Sequence, residues 1–184
     1  MRRIPWLATL AALGLVTLVA APAAATMLLR FDVEQMSDIA AVVAVGSIDG
    51  VEARWNDTRT KIYTRVSFRP TEVLKGARDL GPLTIKMIGG QVGEDVAYLP
   101  GTPGFEPGER VLLFLEPRDD GDGYLIVGLF QGLFRLRRGD RGDELLYQDP
   151  PPRGVSLIDD GSSPAVSTML TLADVRAIVN GGGQ

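Results

Sequence analysis

The stretch Ile62-Tyr63-Thr64-Arg65-Val66-Ser67-Phe68-Arg69-Pro70-Thr71-Glu72-Val73-Leu74-Lys75-Gly76 decides the fold. Ile62, Thr64, Val66 and Phe68 fall on one face of an extended chain, while Tyr63, Arg65, Ser67 and Arg69 fall on the other. This predicts a half-buried antiparallel strand. Pro70 has no N–H to give to a ladder, so the strand must bend or bulge there before it resumes through Glu72, Val73 and Leu74. A long strand broken at its midpoint is how a small barrel turns a corner.

On the upstream side, Ala40 to Ile48 is apolar on both faces and predicts a central strand. Val33 to Asp38 before it predicts a helical turn that packs Val33 and Met36 on the barrel and ends at Ser37 or Asp38. Downstream, Leu83, Ile85 and Met87 alternate with Thr84, Lys86 and Ile88 until Gly89-Gly90 stops the strand. Residues 91 to 108 carry Gly93, Pro100, Gly101, Pro103, Gly104, Pro107 and Gly108, too many breakers for regular structure, and predict a long loop that is either functional or mobile. Val111 to Leu115 and Tyr124 to Leu129 form a hairpin around the Asp119 to Gly123 turn, and Gly132 to Arg137 pairs with Glu144 to Gln148. Pro150-Pro151-Pro152 is expected to end the β region. Residues 153 to 167 then read as a surface linker, and Thr171 to Val179 as a helix capped by Thr171, with Leu172, Val175, Ile178 and Val179 on its apolar face.

The expected fold is mainly all-β, a five-stranded OB-like Greek-key barrel with an added C-terminal hairpin and one short C-terminal helix. The expected organisation is a cleaved signal peptide over 1–25, the barrel with its hairpin over 26–149, and a Pro/Gly-rich linker with the terminal helix over 150–184. The signal rests on Arg2-Arg3, the apolar run Ile4 to Val19 and the Ala23-Ala24-Ala25 cleavage pattern, so the protein is expected to be secreted or periplasmic, with no stable membrane anchor after cleavage. Cleavage removes two arginines and no acid, turning the net charge of −4 into −6. That balance argues against a nucleic-acid partner.

The 184 residues include no cysteine and no histidine. Disulfides, thiol nucleophiles, His-dependent triads and His-ligated zinc are therefore excluded. Asp119, Asp120 and Asp122 are dense enough to suggest calcium but lack the spacing of a calcium loop, so a hairpin turn is the reading, and no metal and no cofactor are expected. The tandem Arg138-Gly139-Asp140 and Arg141-Gly142-Asp143 triplets, and Asn56-Asp57-Thr58, are read as turns. Glu94 and Asp95, with Glu106 and Glu109 beyond them, are the candidates for a carboxylate-based glycan hydrolase. Trp55, Tyr63, Tyr98 and Phe105 are the aromatic candidates for binding a partner, with Arg65 beside Tyr63 on the polar strand face.

The order of the motifs Ala40-Ala41-Val42-Val43-Ala44-Val45-Gly46, Ile62 to Phe68, Glu72-Val73-Leu74-Lys75-Gly76 and Pro107-Gly108-Glu109-Arg110-Val111-Leu112-Leu113-Phe114-Leu115 resembles exported bacterial proteins. Their pattern is in turn similar to the netrin-like, or tissue-inhibitor-of-metalloproteinase-like, OB barrel, over roughly residues 36 to 137. The resemblance implies the barrel and a habit of binding secreted proteins. It does not bring the inhibitors' mechanism, because zinc chelation by an N-terminal cysteine has no counterpart in a chain without cysteine. The expectation is an exported, non-catalytic module, not an enzyme, that engages a protein partner, a secreted protease among the candidates, through the 89–108 loop and the adjacent barrel face. The alternatives are a structural cell-envelope component and the glycan hydrolase.

Overall fold

The computed structural model describes residues 26–139, 143–159, 161 and 169–181. The expected signal peptide over 1–25, the triplet residues 140–142 and most of the second half of the expected linker lie outside these residues.

The chain folds into β1 (Thr26–Leu29), α1 (Val33–Ile39), β2 (Val42–Trp55), β3 (Ile62–Lys75), β4 (Leu83–Ile88), β5 (Gly90–Val92), β6 (Asp95–Ala97), β7 (Arg110–Pro117), β8 (Tyr124–Ile126), β9 (Leu133–Arg138), β10 (Glu144–Gln148), β11 (Val155–Ile158), β12 (Met169–Thr171) and α2 (Leu172–Gly181). A 3-10 turn, Leu129–Gly132, joins β8 to β9. Five strands close a barrel in the order β7-β2-β3-β4-β8, with β8 returning to β7. All neighbours are antiparallel except β4 and β8, which run parallel at Ile85 and Tyr124. This is the OB-like Greek-key order, and the β9–β10 hairpin and α2 are the additions read from the sequence.

The corner forms at Pro70. It sits opposite Gly46 where the β2–β3 register shifts, so its missing N–H interrupts the ladder at a bulge. Gly46 is required there, since a Cβ would lie 2.2 Å from the Arg69 carbonyl oxygen.

The apolar runs explain two cores. Val42, Ala44 and Ile48 of β2, with Val111, Leu113 and Leu115 of β7, point into the barrel among Val66, Phe68 and Ile85. Their neighbours Val43 and Val45, with Leu112 and Phe114, point outward beneath Val33 and Met36 of α1 and Leu172 and Val175 of α2. Both strands are apolar on both faces because helices cover the barrel's outside here. The Phe114 and Phe134 rings meet there, 6.0 Å apart and tilted by 59°.

α1 is capped by Asp32, which accepts from the Gln35 N–H at 2.8 Å while the Gln35 side chain accepts from the Asp32 N–H, a full capping box. α2 starts the same way. Thr171 Oγ1 accepts from the Asp174 N–H, and the Asp174 carboxylate accepts from the Thr171 N–H. The buried Gln131 ties the N-terminal segment down, accepting from the Phe31 N–H and donating to the Leu29 carbonyl.

Four expectations are corrected. β2 runs on to Trp55, well past Ile48, because its far half pairs with β3 alone. Tyr124 to Leu129 is a three-residue strand followed by the 3-10 turn, which Gly128 permits at φ 64°. The 91–108 segment contains the β5–β6 hairpin, turned at Gly93-Glu94 with Gly93 at φ 62°. The β region does not end at Pro150 to Pro152, since β11 pairs in parallel with β1 and β12 pairs with β10. Residues 155 to 158 of the expected linker are therefore strand, and Thr26 to Leu29 supply their partner.

Candidate functional site

Beyond Ser47, β2 has β3 as its one ladder partner, and the 89–108 segment folds back across the inner face of this part of the ribbon. Gly89 donates its N–H to the Ile62 carbonyl and accepts from the Thr64 hydroxyl at 2.8 Å. Gly90 lies so close to the ribbon that a Cβ would stand 2.5 Å from Thr64 Oγ1 and 2.9 Å from the Ala53 Cβ, at φ +130°. Further along, the Gly101 carbonyl accepts from the Phe130 N–H, and the Gly104 carbonyl accepts from Arg135 at 3.0 Å. The segment closes at Gly108, whose N–H reaches the Ile48 carbonyl at 2.7 Å. Arg135 also binds Glu109 and Asp149, so one guanidinium from β9 gathers the end of the loop.

This bridging leaves a groove of about 620 Å³ between the loop and the ribbon, floored by Val51, Ala53, Thr64 and Met87 and walled by Val96, Tyr98, Leu99 and Phe105. It adjoins a second hollow of about 330 Å³ that shares Ile88 and Leu99 and extends to Leu125 and Leu129. Six of the ten large apolar side chains exposed among the described residues lie on these two surfaces: Val51, Ile88, Val96, Tyr98, Leu99 and Leu125. Val96 and Tyr98 are the most open of them, at 69% and 65% exposure.

The sequence candidates divide between two places. Tyr98 and Phe105 belong to the groove, Tyr98 as an exposed wall and Phe105 half-buried with its ring packed on the barrel core. Tyr63 and Arg65 stand on the outer barrel face, away from that floor, beside a separate polar hollow of about 360 Å³. Trp55, at the end of β2, lines that hollow and also a smaller cleft with Ile88 and Val96.

On the outer face, register places Arg65 of β3 directly opposite Lys86 of β4. Both cations converge on Asp122 in the β7–β8 turn: Arg65 binds in two-pronged fashion at 2.8 and 3.2 Å, and Lys86 at 2.7 Å. Lys86 also lies 4.7 Å above the Tyr63 ring. Hydrogen bonds from Lys86 and then Arg65 hold the Asp122 carboxyl below its ordinary range. Asp120 is lowered by Arg118 and by the Asp122 N–H. The acidic run is thus a turn, as the sequence reading held, and within it Asp120 and Asp122 are paired with Arg118, Arg65 and Lys86.

Asn56 organises the β2–β3 turn, accepting from the Thr60 and Lys61 N–H groups and donating to the Thr58 and Thr60 hydroxyls. Glu94 and Asp95 are exposed at the β5–β6 turn, Glu106 is exposed, and Glu109 is committed to Arg135. Among the described residues no helix is long and apolar enough to cross a membrane.

Sequence reasoning missed the apolar groove residues Val51, Ile88, Leu99 and Leu125. Ile88 carried a signal, an apolar residue on the polar side of an alternating strand. Lys86 and Asp122 were invisible as partners of Arg65 until the register was known. No family model matches the chain, and no curated protein matches it in sequence.

Proposed function

We propose that this protein is an exported, non-catalytic binding module whose groove beneath the 89–108 loop receives an apolar segment of a protein partner. The observation that carries this reading is the convergence of six exposed apolar side chains on one groove and its continuation, since a contiguous apolar surface on a folded chain marks an interaction site. The floor is rigid sheet and the wall is a loop anchored at Gly89, Gly101, Gly104 and Gly108, so the surface exists before any partner arrives. Export is supported by the Arg2-Arg3 pair, the apolar run Ile4 to Val19 and the Ala23-Ala24-Ala25 pattern. The resemblance over residues 36 to 137 points to a secreted protease as the partner class, met without zinc chelation.

The test is photo-crosslinking from position 98 in the source periplasm and culture medium, with a Val96→Ser, Leu99→Ser variant as control. A specific adduct that the control loses supports the module. Identical recovery by both, or no adduct, overturns it. A second reading, a structural envelope component, draws on the outer face of the β1–β11 pair, where Met27, Leu29 and Ile158 are exposed. Native mass measurement checks it, a monomer at all concentrations counting against assembly.

A further inference from the structure

The polar hollow on the outer face of β3 and β4 is distinct in chemistry from the groove. We propose that it is a binding site for a neutral saccharide. The cavity of about 360 Å³ is mostly polar, and two aromatic side chains, Trp55 and Tyr63, are among those that line it. A sugar ring needs that combination, an aromatic face for its C–H side and dense hydrogen-bonding groups for its hydroxyls.

The hydrogen-bond inventory points to hydroxyls. Arg65 has five donors and uses two on Asp122, and Lys86 has three and uses one. The three bonds Asp122 accepts leave room on its carboxylate for one more, and Asp57, exposed at the same rim, has no partner among the described residues. Spare donors and spare acceptors therefore lie side by side, and a hydroxyl pair uses both where a carboxylate or phosphate uses only donors. Charge agrees: Arg65 and Lys86 are balanced by Asp57 and Asp122, while Arg54 at the edge is paired with Glu52. With no net charge, the hollow has no excess positive charge to favour an anion. An apolar peptide side chain finds only the two rings.

The site is also preformed. Arg65 is fixed by two hydrogen bonds, Lys86 by Asp122 and the Tyr63 ring, and the Asn56 turn beneath the rim by its own ladder of bonds. A ligand meets side chains already ordered.

The experiment titrates the protein, purified as its host produces it, with cellotetraose, maltotetraose and chitotetraose, and with tetragalacturonate and a tetraglutamate peptide as charged comparisons. Tryptophan fluorescence reports the hollow, because Trp55 lies in its rim. At least one neutral tetrasaccharide is expected to bind saturably, with a Kd that changes less than about twofold between low and about 0.5 M salt. Calorimetry should show binding weakened at least about tenfold in Lys86→Gln and in Trp55→Ala, variants first shown to melt within about 3 °C of the parent. Leu99→Ser, in the groove and away from Trp55, should leave it unchanged, which separates this site from the groove. The proposal is overturned if no neutral tetrasaccharide binds up to about 10 mM. It is equally overturned if a charged probe binds tighter with marked salt dependence, or if the groove variant abolishes binding while Lys86→Gln and Trp55→Ala retain it.

Discussion

From Val42 to Ile48, β2 is buried on nearly every side chain, with the barrel interior on one face and α1 and α2 over the other. From Val51 to Trp55 the same strand, in the same ladder with β3, is half-buried or exposed, and it is covered by the 89–108 segment with its short β5–β6 hairpin. The near half is covered by elements that bring apolar side chains of their own, so little solvent-facing apolar surface is left. The far half is bridged by a segment rich in glycine and proline, which makes backbone contacts at a few points and leaves a groove between them. One ribbon thus serves as core at one end and as a binding floor at the other, and the difference lies in what packs on it.

The sharpest way to break this comparison is to truncate one apolar side chain to alanine in each half. Phe68 sits on β3 opposite Ile48 and is fully buried, so Phe68→Ala should destabilise the fold by about 3–5 kcal/mol through lost transfer energy and a cavity. Val51→Ala, at a half-open groove position, should stay within about 0.5 kcal/mol. Urea denaturation of both variants measures the contrast, and similar losses would mean that the far half is as much core as the near half.

That contrast also explains what the sequence disclosed. The Ile62 to Phe68 alternation, the Pro70 break and the doubly apolar Val42 to Val45 and Val111 to Leu115 runs reflect burial by the strand's own faces, so they were readable as barrel strands. α1 and α2 were readable for the same reason, through Val33 and Met36 and through Leu172 and Val175. The β1–β11 pair was not. Each strand is four residues long and its partner lies over 120 positions away, so no local pattern announces it. The site was legible by parts: Tyr98 and Phe105 marked the loop, and Tyr63 and Arg65 the outer face. That these form two places, and that Lys86 and Asp122 complete the second, follows from register, which single-strand patterns do not carry.

Gly90 tests the bridging itself. Gly90→Ala introduces a Cβ against Thr64 and Ala53 at a positive φ, and should cost about 1–3 kcal/mol while lifting the loop from the ribbon. Loss of hydrogen-exchange protection at the Gly89 amide, bonded to Ile62, is the local sign. Gly81→Ala, with open space around it, should change neither quantity. If both variants behave alike, close approach of the loop is not what shapes the groove.

Arg135 anchors the other end. Arg135→Met keeps much of the stem's packing but releases Glu109, Asp149 and the Gly104 carbonyl, and should cost about 1–2 kcal/mol. Limited proteolysis between residues 100 and 108 should accelerate, since that stretch loses its tie to β9. Unchanged cleavage would place the anchoring in Gly101 and Gly108 alone.

The smallest effect belongs to the seam between α2 and the barrel, where Arg176 binds Glu72 at 2.7 and 2.8 Å. The guanidinium's hydrogen bonds hold the Glu72 carboxyl below its ordinary value of 4.5, with partial burial opposing. Both side chains are more than one-third open to solvent, which screens the pair, so Arg176→Ala should cost less than about 1 kcal/mol at neutral pH. Because the folded value is the lower one, the contribution is complete above the unfolded value and is lost as pH falls through the folded one. The stability difference between parent and Arg176→Ala should therefore shrink on acidification from pH 7 through the range below 4.5, and also at high salt. A large, pH-independent loss would instead mean that the arginine stem helps pack α2. In that case the helix would be held by more than Leu172, Val175, Ile178 and Val179, and the near half of the ribbon would owe part of its cover to a charged side chain.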